Sequence, residues 1–123
     1  MSALAALALG VTIGGSAYDD AFARGQRSMA DPAERSFYKT VLLPQIQGDL
    51  GRVVLHCAQQ MKHGDDMATV IVVIDYTAGA ASQIFLDKDT PVGRCVADGI
   101  AAIAFPAAPI PDFAEVQGFH IRP

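Results

Sequence analysis

The fold of this chain is decided by the stretch from Cys57 to Cys95, which contains both cysteines and the most strand-like segment, Ala68-Thr-Val-Ile-Val-Val-Ile-Asp-Tyr76. That segment is rich in β-branched residues and nearly continuous in apolar ones, which is typical of a central strand covered on at least one face. A short turn at residues 77–79 separates it from a second predicted strand, residues 80–87. We therefore expect the two strands to form an antiparallel hairpin.

A helix is predicted on each side of this hairpin. Over residues 45–62 the apolar positions recur at helical spacing and form one stripe that includes Cys57. Over residues 91–104 a second stripe includes Cys95. A last strand is predicted over residues 113–121. The predicted fold class is therefore α+β, a small antiparallel sheet of about three strands with two helices on one face.

Two helix starts share a signature, a capping residue followed by proline: Asp31-Pro32 and Thr90-Pro91. Asp and Thr side chains accept hydrogen bonds from the first-turn N–H groups, and proline suits the first helical position. A short helix is thus predicted from residue 32 to about residue 43. Pro44 is expected to interrupt it, because proline lacks an N–H and its ring clashes with the preceding turn.

The two cysteines lie on the inward stripes of different helices, and we predict that they form a disulfide. Helices packed on one sheet face can bring Cys57 and Cys95 together, and closing such a loop contributes roughly 4 kcal/mol in the chain-entropy model. Two alternatives stay open. One is a pair of unpaired core cysteines, and the other is a catalytic pair of Cys57 with His56, although adjacent helical residues point to different faces.

The amino terminus carries an apolar run, residues 4–13, which has the length of a signal-peptide core and is too short to span a membrane. The small residues 14–17 follow it, and cleavage after Ala17 would leave Tyr18 at the start of the mature chain. The alternative interpretation is an apolar helix that belongs to the folded domain.

Three regions are predicted along the chain. Residues 1–17 form a signal peptide, residues 18–40 a lead-in that is poorly ordered before its short helix, and residues 41–123 an α+β domain. An exported protein with one pair of cysteines is expected to carry them as a disulfide, since disulfides persist in oxidising compartments. The predicted location is periplasmic or secreted.

The ordered set of features resembles the TonB C-terminal-like domains, most closely the AgmX/PglI C-terminal type found in bacterial envelope proteins. The resemblance covers about residues 40–121. Its elements are a helix with Cys57, a strand ending Val73-Ile74-Asp75, a turn with Gly79, a second strand, Cys95-Val96 on a helix, and Phe105-Pro106 before Ala107, Ala108 and Pro109. It implies paired cysteines, a closing strand that completes the sheet, and binding to another protein rather than a reaction.

Several kinds of chemistry find little support in the residues. The net charge is −4 and the chain has no dense Lys/Arg cluster, which argues against nucleic-acid binding. His56 and His63 would lie about 10 Å apart along a helix axis, too far to share a metal ion. No metal site, cofactor or catalytic residue is predicted. A small periplasmic enzyme built from His56, His63 and Asp66 is a minor alternative.

The predicted function is that of a non-enzymatic, disulfide-stabilised domain that binds another protein of the cell envelope. A partner would add a strand to a free edge of the sheet. The candidate edges are the second strand, with Ile84, and the last strand, with Phe119. The alternative is a structural envelope component whose copies self-associate.

Overall fold

A computed structural model describes residues 8–123, so the first seven residues of the predicted signal peptide lie outside the described part of the chain. The elements in chain order are β1 (Gly10–Ile13), α1 (Gly15–Ala30), α2 (Pro32–Phe37), a π-helical turn (Tyr38–Leu42), α3 (Leu43–Gln60), β2 (Ala68–Thr77), β3 (Ala80–Leu86), α4 (Pro91–Ala101) and β4 (Ala114–Ile121). The predicted α+β class is confirmed.

The sheet of the described chain has four strands in the order β1-β3-β2-β4, one more than the sequence predicted. β2 pairs antiparallel with both β3 and β4, which confirms the predicted hairpin. The additional strand, β1, lies parallel to β3 with Val11 opposite Ile84 and Ile13 opposite Leu86. The end of the apolar run thus forms an edge strand rather than a helix.

One face of the sheet carries the main core, and α3 and α4 contribute their apolar stripes to it as predicted. The fully or almost fully buried members include Ile46, Leu50 and Cys57 of α3, Val96 and Ile100 of α4, Val70, Val72 and Ile74 of β2, and Ile84 and Leu86 of β3. Gly99 allows the two helices to approach, because a Cβ there would lie 2.7 Å from Val53 Cγ1.

The opposite face is covered by α1, a helix where the sequence analysis predicted a poorly ordered lead-in. Ala21 is fully buried and packs in a second cluster with Val73, Phe85 and Ala114 of the sheet. The prediction of a poorly ordered segment is wrong because small and apolar residues align on one side of α1 and fit the sheet. β1 and α1 therefore belong to the same packed unit as residues 41–123.

Gly25 brings α1 against β4, since a Cβ at this position would lie 2.5 Å from Val116 Cγ2. We expect Gly25→Ala to lower the free energy of unfolding by about 1–3 kcal/mol, because overpacking forces neighbouring groups to move. Urea unfolding measures this. The control is Gly51→Ala on α3, where a Cβ would meet nothing within 4 Å and alanine should stabilise by up to about 1 kcal/mol. Equal effects at the two glycines would contradict the close packing of α1.

Both predicted helix caps are confirmed. The Asp31 carboxylate accepts hydrogen bonds from the backbone N–H groups of Ala33 and Glu34, each at 3.0 Å. Thr90 Oγ1 accepts from the N–H of Gly93, also at 3.0 Å. These local bonds satisfy first-turn donors that have no partner inside a helix.

Pro44 does not end the helix, which corrects the sequence prediction. The chain stays helical from α2 into α3 through the π-helical turn, where the Leu43 N–H donates to the carbonyl of Tyr38, five residues earlier. A π-helical turn is wider than an α-helical one. We attribute the tolerance of Pro44 to this wider turn, which ends at Leu42, two residues before the residue that lacks an N–H.

Candidate functional site

The predicted disulfide is confirmed: Cys57 of α3 is bonded to Cys95 of α4, with their Cα atoms 5.8 Å apart. Neither cysteine is a free thiol, so the unpaired and the catalytic alternatives are both excluded in this structure. His56 is exposed and its Nε2 lies 2.9 Å from Gln60 Nε2 on the solvent side of α3. The cysteines thus join two helices and leave no free thiol for chemistry.

The edges of the described sheet are β1 and β4, and only one of the two predicted edges is among them. β3 lies between β1 and β2, and its Ile84 is fully buried. In this structure the outer side of β3 is covered by β1, because the apolar amino-terminal run pairs with this strand, which the sequence analysis did not predict. Phe119 lies in β4, an edge strand, and its half-buried side chain packs against the main core.

The hydrogen bonds at the start of β4 show which of its backbone groups point away from the sheet. The Tyr76 N–H donates to the carbonyl of Phe113 at 3.1 Å, so the backbone groups of Phe113 point toward β2. The next residue, Ala114, turns its N–H outward, where it donates to Ser28 Oγ of α1 at 3.2 Å. Ser28 thus binds the first outward-pointing N–H group of this edge strand.

The remaining outward groups form a surface that we call the β4 edge, made of Val116, Gly118 and His120. The register of β4 with β2 is continuous, and in an antiparallel ladder alternate residues direct both N–H and C=O to the same side. Gly118 and His120 are exposed, and a Cβ at Gly118 would meet nothing within 4 Å. The β4 edge therefore presents backbone donors and acceptors to an incoming strand.

A buried polar network supports β4 from the core side. Glu115 is fully buried. Tyr76 donates its hydroxyl proton to Glu115 Oε1 at 3.1 Å. Gln117 Nε2 donates to Glu115 Oε2 at 3.3 Å and to the Tyr38 hydroxyl at 2.7 Å. The network ties the first half of β4 to β2 and to the π-helical turn.

Burial sets the electrostatics of this network. Desolvation raises the pKa of Glu115 from its ordinary 4.5 to about 7, against the opposing effect of the hydrogen bonds from Tyr76 and Gln117. The pKa of Tyr76 is raised, first by burial and then by the nearby Glu115 charge. Every buried side-chain N or O atom of the described residues has a hydrogen-bond partner. The polar groups of the network are thus bonded to one another, and the Glu115 carboxyl is the group that can gain or lose a proton.

Sequence reasoning missed Glu115, although its strand contained a usable signal. In β4 a period of two places Glu115 and Gln117 on the same face as Phe119 and Ile121. Two polar residues at core-facing positions are unusual, and they predict a buried hydrogen-bonded group.

Two grooves lie beside the core. The first, about 680 Å³, lies where β2 ends and is lined in part by Arg24, Asp75 and Asp112. Its Arg24 guanidinium forms a bridge with the Asp75 carboxylate, with the Nη2–Oδ2 distance 3.3 Å. The second, about 660 Å³, lies over the disulfide and includes Asp66 and Lys88 among its lining residues.

The three residues of the enzyme alternative, His56, His63 and Asp66, do not form one site. His56 lies on α3, His63 follows the end of that helix and is exposed, and Asp66 lines the groove over the disulfide. Within residues 8–123 no three His, Cys, Asp or Glu side chains are grouped closely enough to hold a metal ion. None of the helices in this part of the chain combines the length and the apolar character needed to cross a membrane.

Comparisons with protein-family models, with curated proteins and with solved structures find no match. The resemblance to TonB C-terminal-like domains therefore depends on the residues quoted above.

Proposed function

We propose that this protein is an exported, non-enzymatic domain of the bacterial cell envelope that binds a partner protein by adding a strand of that partner to the β4 edge. The observation that carries the proposal is the outward-facing backbone of Val116, Gly118 and His120 on a strand that is paired on one side. Edge strands of this kind are templates for pairing with another chain.

The architecture supports a binding role of this type. The order α3-β2-β3-α4-β4, with a disulfide between the two helices, agrees with what a TonB C-terminal-like domain of the AgmX/PglI type would have. A disulfide also favours an oxidising compartment, which in bacteria means the periplasm or the exterior. Export, with cleavage after Ala17, is part of the proposal.

The β4 strand has contacts on both of its faces and its free edge has a defined start, which favours strand addition with a fixed register. The Glu115 network fixes the strand from the core side, and α1 packs on it from the other through Gly25 and Val116. Because Ser28 already binds the Ala114 N–H, an added strand would begin its hydrogen bonds at Val116. Main-chain bonds would supply the affinity and alternate side chains the specificity.

Gly118→Pro is expected to weaken capture of the partner about tenfold or more, because proline removes the central outward N–H and places its ring in the path of an added strand. Gly118→Ala is the matched control. It keeps the N–H, and its Cβ enters open space. Immobilised wild-type and variant chains are incubated with envelope extracts, and bound proteins are identified and quantified.

A partner retained equally by the proline variant would rule out the β4 edge as the binding site. Sedimentation velocity of the purified chains addresses the self-associating alternative. A dimer of the wild-type chain that the proline variant loses and the alanine variant keeps would assign the β4 edge to self-association. A monomer in all three, together with selective capture of one envelope protein, would support the adaptor role.

A further inference from the structure

β1 shows in detail how the outer edge of β3 receives a strand. The Gly14 N–H donates to the Leu86 carbonyl at 2.8 Å, and Val11 and Ile13 lie opposite Ile84 and Leu86 in parallel register. The side chains of Val11 and Ile13 pack against the main core. The β3 edge therefore recognises a short strand with β-branched apolar side chains two residues apart.

The strand that pairs with this edge, β1, is short. It has four residues, none of them fully buried. Gly14 connects it to α1, and both Gly14 and Gly15, the first residue of α1, have positive φ, 62° and 73°. Such a connection is available to glycine with little strain and allows the chain direction to change at this point.

Removal of β1 would leave an exposed row of backbone groups on β3 beside apolar side chains that are now buried. Ile84 and Leu86 have no accessible surface while β1 is in place. An apolar edge strand without cover is a strong template for pairing with another chain. Cleavage after Ala17, part of the proposed function on which this inference rests, would remove all of β1.

We infer that the outer edge of β3 is a second strand-binding site, filled in this structure by β1, and that it takes up a parallel strand of a partner protein when β1 is cleaved or displaced. The partner strand would carry the pattern of Gly10-Val-Thr-Ile13, with β-branched apolar residues at the two inward positions. This site differs from the β4 edge in strand direction and in position, since β2 and β3 lie between them.

The test uses the full chain with Val11→Asp and Ile13→Asp, which introduces charge where β1 packs on the core. The probe is a fluorescently labelled peptide with the sequence of residues 8–17, and its binding is followed by anisotropy. We expect at least tenfold tighter binding to the variant than to the wild-type chain, because in the wild-type chain the tethered β1 competes at a high effective concentration. The control peptide carries the same two aspartates and should not bind.

A folded aspartate variant that fails to bind the peptide, or a wild-type chain that binds it equally well, would overturn the inference. If the aspartate variant does not fold, Val11→Ala with Ile13→Ala replaces it, and the same comparison with the wild-type chain decides. Adding Gly118→Pro to the variant should leave peptide binding unchanged. A loss of peptide binding would place the peptide on the β4 edge, which would overturn this inference and leave the proposed function standing.

Discussion

Replacing Cys57 and Cys95 together by alanine is expected to lower the free energy of unfolding by about 4 kcal/mol. The bond joins residues separated by 38 positions, and its loss returns conformational freedom to the unfolded chain. A loss of this size equals a large share of the stability of a small domain. We expect the thermal midpoint to fall by roughly 10–20 °C for a chain of this length. Circular dichroism during thermal and urea unfolding, without reductant, measures both quantities.

The matched control is the wild-type chain in reducing buffer. It lacks the cross-link but keeps both side chains, so its stability should fall close to that of the double alanine variant. Any further loss in the variant reports on the packing of Cys57, which is only 1% exposed. A difference below about 1 kcal/mol between the oxidised wild-type chain and the variant would contradict a stabilising role for the disulfide.

Glu115→Gln is expected to stabilise the fold by about 3 kcal/mol above pH 7 and to have little effect near pH 4. Because burial raises the pKa of Glu115 from 4.5 to about 7, the folded state keeps a proton that the unfolded state releases between these values. The resulting stability is fully present below pH 4.5 and is lost as the pH rises through 7. Glutamine is neutral at every pH, and its amide oxygen can accept one of the two hydrogen bonds that the carboxylate accepts from Tyr76 and Gln117.

Urea unfolding of the wild-type and variant chains at a series of pH values from 4 to 8.5 checks this result. The difference between the two curves isolates Glu115 from other titrating groups. Asp98→Asn is the control, since Asp98 is an exposed acidic residue on α4, outside the Glu115 network. Parallel curves for the wild-type chain and Glu115→Gln would show that Glu115 has the same proton affinity in both states.

Much of the main core could be predicted because its signals are local. The β-branched run of β2, the stripe that carries Cys57 and the Thr90 cap each fall within a few residues, and the structure agrees with all of them. The short turn between β2 and β3 fixed their pairing for the same reason. The disulfide followed because both helices present a cysteine from an inward stripe.

The amino-terminal part could not be predicted, because its place depends on contacts that are remote in sequence. Val11 pairs with Ile84, more than seventy residues away. A short apolar run has the same composition in a signal peptide and in an edge strand, so composition did not distinguish them. The cover that β1 gives to Ile84 and the buried position of Glu115 both depend on tertiary pairing, which no local sequence signal indicates.

The π-helical turn changes the direction in which the side chains before it point, relative to the side chains after it, within one continuous helical segment. An α-helix advances about 100° per residue, so an additional residue in one turn changes the direction in which all preceding side chains point. In this chain Phe37 stacks edge-to-face on Phe113 with the ring centroids 5.7 Å apart, and Tyr38 bonds to Gln117. Beyond the turn, Ile46 enters the main core. The additional residue of the π-helical turn therefore determines which side chains before the turn, and which after it, can contact the sheet.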